Sequence, residues 1–432
     1  MFKYFVQKRL EHYARRYLKK HKVKLVVVVG SVGKTSTKLA IATVLGEKLR
    51  VRTHEGNHNT PIATPVSILG IEYPDDVHSI SAWRTVFKAA RLRIKQPTDT
   101  DVVVQELGTD QPGDIKKFCR YLRPDIAVVT AVSHEHMEFF KTLEAVAREE
   151  LYIAKYAALT IVNRDDIDAK FAPFAETKAI STYGSSDKAE YRIAADMANV
   201  LQGGVMGTFY APEWDPASVN LQLVGEHSIK AAAAAGAVGA KMGLSLQEIT
   251  IGLARIRAVP GRMNVLRGVQ GSTLIDDSYN SSPLAVLAAL TSLYEIESQQ
   301  RIAILGSMNE FGTLSKKAHE TVGRACDPRY LDWVVTVGTD AGQYLAPAAK
   351  QKGCQVRSFS NPYQAGGFVH SIVKQGAVVL IKGSQNGVFT EESTKVLLHD
   401  SSDESQLVRQ SPAWMARKQA TFDHMNGTSE EV

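Results

Sequence analysis

Cysteine is scarce in this 432-residue chain: Cys119, Cys326 and Cys354 lie far apart and form no C-x-x-C pair. That spacing excludes a disulfide framework and a zinc ribbon, and it suits a reducing cytoplasm. Long hydrophobic runs are also missing. No stretch approaches the roughly 18 apolar residues that a membrane span requires, and no secretory signal is visible. What remains is ordinary for soluble globular chains, with 44% hydrophobic and 22% charged residues. The length suits two or three domains, since compact units run to about 100–200 residues.

Acid is the other shortage, and it is local. Residues 1–24 hold nine Lys/Arg against the single acid Glu11, a net +8 within a chain whose total is +6. Val6, Leu10, Tyr13, Ala14, Tyr17 and Leu18 recur at helical spacing on one side, with Lys8, Arg9, Arg15, Arg16, Lys19 and Lys20 largely on another. The pattern predicts a basic amphipathic helix over 1–22. Either its tyrosine stripe packs on the neighbouring domain, or the helix meets an anionic membrane surface or an acidic partner. Nucleic acid is not expected, because no second basic, aromatic-bearing surface accompanies it.

Residues 25–38 read Leu-Val-Val-Val-Val-Gly-Ser-Val-Gly-Lys-Thr-Ser-Thr-Lys. An apolar strand runs into a glycine loop, and a helical pattern follows. Such a loop lets successive N–H groups face a phosphate, the helix start adds a positive dipole end, and Lys34 reaches the β/γ-phosphates while Thr35 holds Mg²⁺. Gly30, Ser31, Gly33, Lys34, Thr35 and Ser36 are therefore candidate nucleotide contacts. Gly30 stands two residues nearer the lysine than the full G-x-x-x-x-G-K-[ST] pattern places it.

Strand and helix patterns then alternate, as in a mainly parallel sheet. Strands are expected at 101–106, 125–130 and 159–162, each with a polar C-terminal end: Glu106, Ser133-His-Glu-His136 and Asn163-Arg-Asp-Asp166. Ligands bind outside the carboxyl ends of such strands, so these ends should converge on one site. Residues 185–224 read as peripheral strands and loops. After helices at 229–241 and 246–257 a second alternating series begins, with strands near 273–276, 301–305, 333–337 and 377–381. The expected organisation is a basic helical arm (1–22), an α/β P-loop NTPase-like domain (23–260), a Rossmann-like α/β domain (261–400) and a polar, partly disordered tail (401–432).

Gly30-Ser-Val-Gly-Lys-Thr35, Gly56-Asn-His-Asn59, Glu106-Leu-Gly108, His136-Met-Glu138, Pro260-Gly-Arg262, Ile275-Asp-Asp-Ser-Tyr-Asn280, Gly306-Ser-Met-Asn-Glu-Phe-Gly312 and Lys382-Gly-Ser384 follow one another in the order found in the Mur ligase family. The chain resembles that family from about 24 to 400, most of all the branch that adds D-alanyl-D-alanine to UDP-N-acetylmuramoyl-tripeptide. The resemblance implies an ATP-dependent ligase that activates a carboxylate as an acyl-phosphate before an amine attacks. It implies Lys34, Glu106, His136 and Arg262 as catalytic groups. It places Thr35 and Glu106 on a first Mg²⁺, His136 on a second, and Asn57 beside the γ-phosphate. Arg262 would serve the phosphates and Asp277 the ribose, Asn280 would be a further nucleotide contact, and Lys382 and Ser384 would serve the carboxylate of the amine substrate.

Several positions depart from the family pattern. Where many members carry a carbamoylated lysine, Glu149 or Glu150 stands and would supply a carboxylate oxygen to the metal directly. His227-Ser-Ile-Lys-Ala231 lacks two expected asparagines, and Ser307 replaces a frequent aspartate. Only 29 residues precede Gly30, so the usual UDP-sugar domain is not expected in this chain. A separate subunit, or presentation on a lipid carrier at the inner face of the membrane, would then hold the acceptor. Three activities stay open: a cell-wall amide ligase, the same chemistry on a poly-γ-glutamate-type polymer or a folate, and a nucleotide-gated partner protein without turnover.

Overall fold

The computed structural model describes residues 2–427 except Glu55, Asn57, Asp75, Glu135, His136, Lys178 and 196–204, with side chains described as far as Phe422. Two compact units emerge. The first comprises Met1–Ala195, Met206–Leu221 and Ile229–Ile256, and the second includes Gln222–Ser228 and Arg257–Val432.

The first unit is built on a nine-stranded sheet of β1 (Lys24–Val29), β2 (Val51–Arg52), β3 (Val102–Glu106), β4 (Ile126–Val129), β5 (Leu159–Asn163), β6 (Ile180–Gly184), β7 (Tyr191–Ala195), β8 (Val205–Ala211) and β9 (Trp214–Leu221). Their spatial order is β2-β3-β1-β4-β5-β6-β7-β8-β9. From β2 to β7 the neighbours are parallel, and β8 returns antiparallel to β7. The run Leu25–Val29 is buried on both faces, as a central parallel strand between helical layers must be. The stretch 205–221, within the region expected as peripheral strands and loops, forms the two strands at one edge of this sheet.

Helices α1 (Phe2–His21), α2 (Lys34–Leu45), α3 (Ala63–Leu69), α4 (Ile80–Lys95), α5 (Asp114–Cys119), α6 (Met137–Phe140) and α7 (Leu143–Leu151) surround the sheet. α1 does not stand off as an arm. It packs on α3 and α4, and Val6, Leu10, Ala14 and Tyr17 join the core that contains β1. The Tyr17 ring is fully buried, and its hydroxyl hydrogen-bonds Thr98 at 2.6 Å and accepts from Arg52 at 3.1 Å.

The second unit holds β10 (Asn264–Arg267), β11 (Thr273–Asp277), β12 (Arg301–Gly306), β13 (Trp333–Val337), β14 (Val356–Phe359) and β15 (Val378–Lys382). Their order is β10-β11-β15-β12-β13-β14, parallel except for β10. The segment past residue 400 departs from its tail-like composition, because Pro412–Gly427 is a helix. Buried charge holds it there. Lys418, 1% exposed, pairs with Glu391 at 2.9 Å and also with Glu392, and Arg409 pairs with Glu391 at 2.7 Å. Two adjacent buried carboxylates require such cations, since an uncompensated charge there would be prohibitive.

Truncating a buried aromatic costs about 3–5 kcal/mol. Tyr17→Ala should therefore destabilise the first unit by roughly that amount in urea unfolding. A loss within experimental error would show that α1 is a detachable arm after all.

Candidate functional site

The site grows from the end of β1. Gly30 has φ +125°, and a Cβ there would lie 2.2 Å from Thr130 Oγ1 and 2.8 Å from the Ala131 nitrogen. Only glycine lets the strand end turn so close to the end of β4. Gly33, at φ +85°, completes the turn and precedes the first residue of α2. Lys34 Nζ donates to the carbonyls of Gly30 at 2.5 Å and Ser31 at 3.3 Å, so its ammonium lies across the loop. Thr35 is buried and Ser36 half-buried on the first turn of the helix.

The loop is braced from behind. Ser31 N donates to Ala131 O at 3.0 Å, and Ser133 N donates to Ser31 Oγ at 3.1 Å. Glu150, on α7 and 3% exposed, accepts the Gly30 N–H at 2.7 Å. The carboxylate that the sequence offers to a metal thus supports the backbone of the phosphate loop. Its neighbour Glu149 accepts from Gly113 N and Ile115 N at 2.8 and 2.7 Å, which fixes the start of α5. Burial nevertheless pushes the Glu149 carboxyl above its usual range.

Glu106 ends β3 beside the loop, 1% exposed. Its Oε1 accepts from Asn59 Nδ2 at 3.2 Å, and its Oε2 lies 3.5 Å from Lys38 Nζ with no hydrogen-bond donor among the described residues. Lys38, one turn beyond Lys34 on α2, also donates to Gly56 O at 3.1 Å. Lys38 and Asn59 were not assigned from sequence. The i, i+4 step from Lys34 was the available signal for the former. The end of β5 joins the same region, where Val132 N reaches Asp166 O at 3.4 Å and Lys230 pairs with Asp166 at 2.7 Å. The strand ends β1, β3, β4 and β5 are therefore brought together. Asn57 and His136 lie outside the described residues, and His134 is exposed.

In the second unit, Asp277 and Lys382 face each other from paired positions on β11 and β15, 2.6 Å apart. Lys382 also donates to Asn280 O at 2.9 Å, and Met263 N donates to Asp277 Oδ1 at 3.2 Å. Lys382 is 2% exposed. Ser384 is buried as well, donating to Ser281 O and accepting from Asn309 N at 3.1 Å. Both residues, expected at a substrate carboxylate, are occupied in holding the 277–281 turn. Arg262 lies over the Tyr279 ring, 4.3 Å from its centroid. Ser307 Oγ accepts from Ala341 N at 3.1 Å, so it ties down the start of the next helical segment.

Two expectations follow from this geometry. Glu150→Ala leaves the buried Gly30 N–H without its acceptor and should cost about 1–3 kcal/mol. Glu150→Gln, which keeps an acceptor oxygen, should retain most of that stability in the same denaturant titration, and equal losses would contradict the bracing role. Asp276, fully buried, has its carboxyl pushed up to about 7, first by burial and then by the Glu391 and Asp277 carboxylates. The folded chain then keeps a proton that the unfolded chain releases near pH 4. Its contribution to stability falls as pH rises from about 4 to about 7. Asp276→Asn should gain stability relative to wild type across that window, and parallel stability curves would refute the assignment.

The comparisons with known proteins agree with this architecture. The Mur ligase middle domain matches residues 28–239, and the Mur ligase glutamate ligase domain matches 261–385. A UDP-N-acetylmuramoyl-tripeptide–D-alanyl-D-alanine ligase of Bacillus subtilis (strain 168) is 27% identical over 401 residues, covering 90% of this chain and 79% of its own length. The MurF ligase of Thermotoga maritima, solved in complex with ADP, shares the fold with a TM-score of 0.74 at 24% identity, over 92% of this chain and 84% of that one. The folylpolyglutamate synthase of Mycobacterium tuberculosis shares it with a TM-score of 0.62 at 17% identity, over 89% and 94%. With both domains matched in order across most of its length, the chain belongs to the Mur ligase family.

Proposed function

We propose that the chain is an ATP-dependent ligase that joins a carboxylate to an amine in peptidoglycan peptide assembly. One observation carries this reading: the phosphate loop ending in Lys34-Thr35 is braced beside a buried Glu106 carboxylate whose Oε2 has no hydrogen-bond donor among the described residues. A carboxylate is a poor electrophile, so it must be activated before an amine can attack. With the Gly30 and Ser31 N–H groups bonded inward, the end of the turn at Gly33 and the start of α2 would offer their N–H groups to phosphate oxygens. Lys34, whose ammonium lies against the loop carbonyls, would turn to the transferring group and offset its charge.

The donor set fits Mg²⁺, which takes oxygen ligands and keeps several waters. Thr35 and Glu106 would hold it, with His136 offered to a second ion. Bound there, the metal would neutralise charge on the phosphates. No cluster of three or more His, Cys, Asp or Glu side chains forms among the described residues. In the second unit, Arg262 is assigned to the phosphates, Asp277 to the ribose and Asn280 to the nucleotide, their turn held by Lys382.

The acceptor follows from the relatives, whose names specify a UDP-N-acetylmuramoyl-tripeptide and D-alanyl-D-alanine. The same substrates are proposed for this chain. The same mechanism on a poly-γ-glutamate-type polymer or a folate is the second reading, supported by the glutamate ligase domain matched over residues 261–385. A nucleotide-gated partner without turnover would not need the metal-binding carboxylate and histidine together with the lysine.

Amine-dependent ADP formation discriminates among these activities. ADP release should rise on adding D-alanyl-D-alanine with the muramoyl-tripeptide, and Lys34→Ala should lower that rate by at least about 10²–10³-fold. Slow hydrolysis indifferent to every amine would overturn the ligase reading.

A further inference from the structure

α1 and α4 lie side by side. The Phe5 ring meets Phe87 edge-on at 6.5 Å, Arg91 Nε donates to the Tyr13 hydroxyl at 2.9 Å, and Lys20 Nζ donates to Ile94 O at 2.8 Å. These contacts advance together along both helices, so the two run in the same sense and share one outer surface. Between them they carry twelve Lys/Arg and one acid, Glu11. That acid is buried and paired with Lys8 at 2.6 Å. Since the whole chain sums to +6, the rest of it is net negative, and the positive charge is concentrated on this pair of helices.

The outer surface is ordered. On α4, Arg84, Lys88, Arg91 and Lys95 recur at i, i+4, i+7 and i+11, all exposed, which makes one stripe. α1 exposes Arg15, Arg16, Lys19 and Lys20. None of these eight makes an ion pair among the described residues, whereas Arg93, at the border, pairs with Asp99 at 2.6 Å. Beside the cations stand apolar groups that remain substantially exposed. Phe2, Tyr4 and Phe5 are 41%, 64% and 53% exposed at the leading end of α1, and Ile80 and Leu92 are 58% and 52% exposed on α4.

We propose that the α1–α4 face lies on an anionic lipid bilayer, with its cations over the headgroup phosphates and the rings of Phe2, Tyr4 and Phe5 at the headgroup–acyl boundary. No helix among the described residues is long and apolar enough to cross a membrane, and the proposed arrangement has α1 and α4 lying in the interface plane. Charge selects an anionic occupant, and the exposed rings and aliphatic side chains select lipid among anions. A soluble polyanion would neutralise the stripe but leave Phe2, Tyr4, Phe5 and Ile80 in water, whereas a bilayer takes both. The face uses none of the residues assigned to the ligase reaction, so this inference stands or falls separately from that reading.

Flotation of the full chain with vesicles of phosphatidylcholine, alone or mixed with phosphatidylglycerol, tests it. The chain should float only with the anionic vesicles and be released by high salt. The double substitutions Arg84→Glu/Lys88→Glu and Phe2→Ser/Tyr4→Ser should each weaken binding by at least about tenfold. Both variants should keep the wild-type melting temperature, which separates lost docking from lost folding. Failure of the wild type to float with anionic vesicles would overturn the proposal. So would binding to soluble polyglutamate or duplex DNA as tight as to vesicles and indifferent to the aromatic substitutions.

Discussion

A buried carboxylate beneath the phosphate loop is the constraint on which the first unit's site depends. A loop that must present its N–H groups outward cannot also satisfy all of them internally. Two N–H groups turn inward: that of Ser31 donates to Ala131 O, and that of Gly30, where the backbone turns too close to the end of β4 for any side chain, donates to Glu150 at 2.7 Å. The bonds between Ser31 and the stretch Ala131–Ser133 fix the other side of the turn. Preorganisation of this kind is what makes an anion site effective, because the donors are placed before the ligand arrives. The neighbouring Lys38–Glu106–Asn59 set then holds a second carboxylate at the mouth of the loop without fully satisfying it.

The second unit applies the same principle with ion pairs. Asp277 sits between Lys382 and the Met263 N–H, and the adjoining turn is gripped from the other side by Arg409, which donates to Ser278 O at 2.7 Å and Tyr279 O at 3.1 Å while binding Glu391 through two nitrogens. Tyr279, stacked under Arg262, is thereby anchored through its backbone. The C-terminal segment is structural in this sense, for its buried cations complete the network that shapes the 277–281 turn.

Much of the architecture was legible because it rests on local rules. Four consecutive valines leading into Gly30 mark a central parallel strand and its turn, and polar residues at the ends of β3, β4 and β5 mark where a ligand belongs. What escaped was set by distant pairing. The Glu150–Gly30 bond joins residues 120 apart in sequence, so Glu150 reads as a free helix carboxylate. Lys382 looks like a ligand group at a strand end until the register of β15 against β11 sets it opposite Asp277. The segment past residue 400 reads as polar, and the helix 412–427 docks through distant partners: Lys418 on the buried Glu391–Glu392 pair, and Phe422 edge-on against Tyr363 and Phe389. The α1 stripe was visible, but its continuation on α4 appears only once the two helices are packed.

The central claim is that the loop after β1 holds a triphosphate whose terminal group passes to a carboxylate. Oxygen tracing tests it most directly. With ATP, D-alanyl-D-alanine and a muramoyl-tripeptide labelled with ¹⁸O in its terminal carboxylate, mass spectrometry of the released phosphate should find one labelled oxygen per turnover. Phosphate carrying oxygen from solvent water and none from the peptide would contradict the account.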